Sequence, residues 1–215
     1  MKDIAIFGAG GFGREVACLI RRINEIQIEP CWNFIGFFDD GISIGTMNEY
    51  GCILGGMEEL NAWDKPLAIV IAIGTPDILR KVVGKITNRN VSFPNLIDPS
   101  VVFLDPNNIS MGKGNIVCAN CMVSCNVRIG NFNILNGYVP VGHDSIIGNY
   151  NVIMPTTNIS GGVKIGDCNF FGVKSVVLQY ISIGNNTRIG ACSVVIRKTK
   201  DGFLYMGNPA VKVNI

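Results

Sequence analysis

The chain has 215 residues, 48% of them hydrophobic and 16% charged, with a formal net charge of +2. That length carries one large domain or two small ones, and the apolar fraction is too high for a disordered chain. No basic excess marks a nucleic-acid binder. Mean hydropathy is +0.34, but the longest central apolar run, Leu67 to Ile73, is far short of the ~20 residues a membrane span needs.

Ile4 to Phe7 reads as a buried strand running into Gly8-Ala9-Gly10-Gly11-Phe12-Gly13, and Arg14 to Ile23 has helical apolar spacing. No charged n-region with a longer apolar stretch precedes it, so no signal peptide and a cytoplasmic chain are expected. Phe34 to Phe38 forms a second strand, ending in Asp39-Asp40. Ala68 to Ile73 forms a third, ending at Gly74, and Asp77 to Lys85 a further helix. This is a small parallel α/β unit of roughly 95 residues. Its G-x-G-x-x-G turn lets backbone N–H groups approach a phosphate. NAD is the default ligand of such a turn, with Asp39 as ribose partner. No second mononucleotide unit follows, so a single nucleotide fits better. The alternative for Asp39-Asp40 is a solvated strand end.

From Met111 onward a six-residue step meets an apolar side chain every time: Met111, Val117, Val123, Ile129, Leu135, Val141 and so on to Val195. Four residues after each, the side chain is small or β-branched, and Asn115, Asn133, Asn151 and Asn169 recur at intervals of 18. Neither an α-helix nor a hairpin sheet has this period. It predicts a parallel β-helix with three short strands per 18-residue coil, five coils from about 107 to 198, and a stacked asparagine ladder at one corner. Eight cysteines in a cytosolic chain read as reduced. Cys118, Cys121 and Cys125 fall in different phases of the coil, so no metal site is expected.

His143 is the sole histidine. It stands two residues after the inward Val141, which puts it outside the prism near a corner, with Asp144 beside it.

The Gly207-Asn208-Pro209-Ala210 tail matches the ending common in hexapeptide-repeat acyltransferases. The glycine turn running into Arg14-Glu15, the strand ending Asp-Asp, the Ala72-Ile73-Gly74 strand end and the hexapeptide helix with Val-Gly-His-Asp together resemble one family over essentially the whole chain. It is the hexapeptide-repeat sugar O- and N-acetyltransferases, typified by sialic acid O-acetyltransferase and the N-acetyltransferases of nucleotide-linked 4-amino sugars. The resemblance implies a Rossmann-like nucleotide-sugar domain over 1–98 and a left-handed β-helix over 99–215. The left hand comes from the family, because crossover rules alone favour the right. It implies transfer of acetyl from acetyl-CoA to the amine of a nucleotide-linked amino sugar, for surface glycan biosynthesis, in a homotrimer without metal.

In that likeness His143 is the general base, Asp144 holds its imidazole, and the Gly161 N–H is an oxyanion donor. Gly8, Gly10, Gly11, Gly13, Arg14, Asp39, Asp40, Gly74 and Asn136 would bind the sugar nucleotide. Gly161, Gly162, Gly172, Lys174, Gly190, Arg188, Arg197, Lys198, Lys200 and Pro209 would meet acetyl-CoA. Many relatives carry a second histidine nine residues after the first; here Val152 stands there. Competing readings are O-acetylation of a sialic or other sugar hydroxyl, an NAD-binding oxidoreductase, and a non-catalytic β-helix trimer.

Overall fold

The computed structural model describes residues 1–213. Unbroken apolar runs become central strands of a parallel sheet, where both faces are covered. Strands β1 (Lys2–Phe7), β2 (Trp32–Phe38), β3 (Ile53–Gly55), β4 (Leu67–Ile71) and β5 (Val91–Ser92) pair in the order β3-β2-β1-β4-β5, all parallel. Helices α1 (Gly11–Glu25), α2 (Met57–Ala62) and α3 (Pro76–Lys85) complete the unit. The sequence shows β1, α1, β2, β4 and α3 with shifted ends. It hides β3, α2 and β5, which are too short for any period to register.

The β-helix follows with three faces. The first stacks Leu96–Ile97, Ile116–Val117, Ile134–Leu135, Val152–Ile153, Phe170–Phe171 and Arg188–Ile189, then adds Leu204–Met206 and an antiparallel Val211–Val213. The second stacks six strands from Val102–Phe103 to Val194–Val195, and the third five from Ser110–Met111 to Ser182–Ile183. The repeat placed the first coil near 107, but pairing begins at Leu96, two residues ahead of the 98/99 division. Met111 follows Phe103 by eight residues, because a 3-10 turn at Pro106–Asn108 interrupts the six-residue step.

The six-step positions from Val117 to Val195 are all buried. From Gly114 to Cys192 every sixth residue has φ between 50° and 69°. Each such residue turns one corner, including Phe132, Tyr150 and Tyr180, for which the left-handed region is intrinsically unfavourable. The asparagine ladder forms as expected. Asn115 Oδ1 accepts from Asn133 N and Nδ2 (2.8 and 3.1 Å), and the pattern continues through Asn151 and Asn169 to Thr187 N. A second ladder runs through Asn131, Asn149, Asp167, Asn185 and Asp201.

The three faces have different neighbours. Outward side chains of the first, Ile116, Ile134 and Val152, join the core of the α/β unit. Arg22 on α1 clamps Asp98 in the first coil, with Nε to Oδ2 at 2.8 Å and Nη2 to Oδ1 at 3.1 Å. The third face is largely polar outward, with Ser110, Arg128, Lys164 and Ser182 exposed. The second leaves Val102, Leu104, Met122, Leu178 and Ile196 between 39% and 58% exposed. No helix among the described residues is long and apolar enough to cross a membrane.

Candidate functional site

At the glycine turn, Gly8 has φ +104°, and a Cβ there would lie 2.9 Å from Ala72 O. A Cβ on Gly13 would strike Gly8 O, so α1 packs directly on the turn. Gly10, Gly11 and Gly74 have open space where a Cβ would project. The turns after β1 and β4 thus meet where the strand order reverses, outside the carboxyl ends of the sheet, and leave bare backbone facing out. Arg14 is exposed beside them. Asp39 spends both oxygens on backbone N–H groups, Ala9 at 2.9 Å and Gly41 at 2.8 Å. It holds the glycine turn in place. Asp40 Oδ1 accepts from Met57 N at 2.7 Å. Both line a cleft of about 580 Å³ with Ile42, Gly56 and Lys85.

A second cavity, of about 330 Å³, lies between α1 and the first coils, walled by Phe12, Leu19, Arg22, Cys118, Asn136 and Gly137. Asn136 stands outside both ladders; its Oδ1 accepts from Gly137 N at 2.8 Å. Burial pushes the Cys118 thiol up to about 12 and that of Cys121 up to about 11, so both stay protonated near neutrality. Cys121 points inward, Cys118 faces this cavity and Cys125 sits at a different corner. Among the described residues no group of three or more His, Cys, Asp or Glu could hold a metal.

His143 and Asp144 occupy the corner between the second and third faces. Asp144 has φ +59°, and its N–H donates to Cys125 O at 3.0 Å, one coil back. Its Oδ2 stands 2.8 Å from His143 Nδ1, and its Oδ1 accepts from Asn126 Nδ2 at 3.1 Å. The bond to His143 and then the one from Asn126 hold the Asp144 carboxyl below its ordinary range. With Nδ1 facing the carboxylate, the neutral tautomer that suits this contact leaves Nε2 as the acceptor.

One coil on, Gly162 N donates to His143 O at 2.7 Å. The imidazole lies over Gly161, where a Cβ would come within 2.5 Å of Nε2. The Gly161 N–H has no hydrogen-bond partner among the described residues. Tyr180, a further coil on, covers Gly162.

The residues expected to meet acetyl-CoA divide between two edges. Gly161, Gly162, Arg197 and Lys198 follow His143-Asp144 up one corner, since 143, 161, 179 and 197 are successive coil positions. Gly172, Lys174 and Gly190 lie on the other edge of the second face, the corner that also carries Asn136. The exposed Pro209 lies in the closing segment, where Gly207 O and Ala210 N bond to Val194. Lys200 is exposed on the same tail, its N–H bonded to the Tyr205 hydroxyl. Arg188 is on neither edge: it sits on the first face with its guanidinium 5.5 Å from the Phe170 ring centroid. Val152 is buried under the α/β unit, away from the His143 corner. Sequence reasoning missed Asn126, Phe12, Arg22 and Cys118, whose only signal is an 18-residue offset or a helix face.

Residues 3–86 match the family model of the PglD N-terminal domain. The acetyltransferase domain of PglB from Neisseria gonorrhoeae FA1090 superposes with a TM-score of 0.88 at 25% identity, covering 99% of this chain and 100% of its own. WeeI from Acinetobacter baumannii AYE gives 0.86 at 28% identity, covering 99% and 100%. PerB from Caulobacter crescentus, solved in complex with CoA and GDP-perosamine, gives 0.87 at 25% identity, covering 100% and 98%. No curated protein matches. These likenesses carry the left-handed β-helix expected above. By its N-terminal family match and its likeness from end to end, the chain takes the form of a hexapeptide-repeat sugar acetyltransferase.

Proposed function

We propose that this protein transfers the acetyl group of acetyl-CoA to the amino group of a nucleotide-linked amino sugar, in the cytoplasm, as a homotrimer. The observation that carries the reading is His143, held by Asp144 on an exposed corner with its ring over Gly161, whose N–H has no hydrogen-bond partner among the described residues. The Nε2 lone pair takes the proton of the attacking amine as nitrogen bonds to the thioester carbonyl. The Gly161 N–H stabilises the oxyanion, and the C–S bond then breaks to release CoA. Relatives support both substrates: the PglB domain is solved with acetyl-CoA, and PerB with CoA and GDP-perosamine.

The nucleotide sits at Gly10, Gly11 and Gly74, with Asp39 and Asp40 behind it, and the sugar reaches Asn136. His143 and Asn136 lie on opposite edges of the apolar second face. A cyclic trimer packed through that face brings the His143 edge of one chain against the Asn136 edge of the next, and acetyl-CoA lies in the groove between them.

The test is CoA-thiol release across a panel of nucleotide-linked amino sugars and free sugars, with His143→Asn beside the wild type. Release with an amino sugar, lowered by about 10² to 10⁴ in kcat/KM in the variant, is expected. Release only with sugar hydroxyls would turn the assignment to O-acetylation, and no release with any acceptor would overturn it.

A further inference from the structure

The His143-Asp144 pair is supported by a residue outside it. Asn126 lies one coil earlier on the same corner, and its Nδ2 donates to Asp144 Oδ1 at 3.1 Å. Asp144 Oδ2 faces His143 Nδ1 at 2.8 Å. Each carboxylate oxygen therefore has its own partner, one on either side. A carboxylate torsion is otherwise broad and nearly free, and this one is more than half exposed, so burial does not fix it. The backbone supports the same register, because Asp144 N donates to Cys125 O at 3.0 Å, next to Asn126.

We propose that Asn126 is a positioning residue for the acetyl transfer: it fixes the plane of the Asp144 carboxylate, and through it the tautomer and direction of His143. This rests on the reading of His143 as the base. When the acceptor amine attacks, its proton passes to Nε2 and Nδ1 keeps its own. The imidazolium so formed is stabilised by Oδ2, and the proton on Nε2 leaves with the departing thiolate. Asn126 takes no part in these transfers. It holds Oδ2 where the imidazolium needs it, which matters more to the transition state than to substrate binding.

Asn126 has φ +56°, so the informative variants are those that tolerate the left-handed region. Asn126→Gly removes the donor, and Asn126→Asp replaces it with a second carboxylate that repels the first. Steady-state kinetics should show kcat lowered about three- to tenfold in Asn126→Gly, the worth of one modest hydrogen bond, with KM for acetyl-CoA unchanged. Asn126→Asp should fall further. In an Asp144→Asn background, Asn126→Gly should change kcat no more, because the group it positions is gone.

A wild-type kcat in Asn126→Gly, or losses that multiply in the double variant, would overturn the proposal. His143→Asn measured alongside separates the two levels. If it keeps the wild-type rate, the base assignment falls and this proposal with it. If it loses activity while Asn126→Gly does not, only the positioning role is wrong.

Discussion

Gly161 shows how much of the site depends on a missing atom. An alanine Cβ would come 2.5 Å from His143 Nε2 and 2.7 Å from Cε1, so the ring must swing off the coil below it. Gly161→Ala should therefore lower kcat/KM about 10²-fold, the usual cost of displacing a catalytic group by an ångström, while the melting temperature stays near wild type. Unchanged kinetics would show that the imidazole works from another position. The placement of His143 and Asp144 outside the prism at a corner was legible in the sequence because the period fixes their phase. Asn126 was not, because its partner is 18 residues away and only coiling makes them neighbours. Val152 shows the same limit: counting nine residues from His143 reaches a family position, but not which face the coil turns it toward.

At the level of elements, side chains inside the helix are held by neighbours above and below. Asn133 Oδ1 accepts from both the N–H and the Nδ2 of Asn151, while its own amide donates to Asn115 Oδ1 and Gly148 O. Asn133→Ala strands these buried groups together, and chemical denaturation should show a loss of about 2–4 kcal/mol. A loss below ~0.5 kcal/mol, the range of an unremarkable surface change, would mean that water replaces the ladder.

The Arg22–Asp98 clamp gives a pH signature. Burial raises the Asp98 carboxyl, but hydrogen bonds from Arg22 and Ser100 outweigh it and hold the group below its ordinary range. A carboxyl depressed in the folded state stabilises fully above its unfolded pKa of about 3.9 and loses that contribution as pH falls through the folded value. Thermal melts should thus show wild type losing an advantage over Asp98→Asn below about pH 4; parallel curves across that range would refute it. The clamp was invisible in the sequence, since Arg22 reads as one exposed position on a helix and Asp98 precedes the recognisable repeat. The first coil was missed for a related reason: the turn at 106–108 breaks the step that defines the others.

For the whole molecule, the α/β unit covers one face of the prism and the polar third face suits water. That leaves the second face, with Val102, Leu104, Met122, Leu178 and Ile196, as the apolar surface a companion chain would cover. Leu178→Lys together with Met122→Glu should yield a monomer by light scattering and abolish transfer while each chain stays folded. A trimer that survives both substitutions would move the contact elsewhere.

The regular corners have one more consequence. Each coil advances the axis by one strand spacing, ~4.8 Å, and three coils separate His143 from Arg197 on the same edge. The prism is thus a ruler graduated in strands, and the chain measures length by counting repeats. Removing 18 residues between those positions keeps every side chain on its face and shortens the scale by one graduation. Removing any number that is not a whole coil rotates all that follows off its mark.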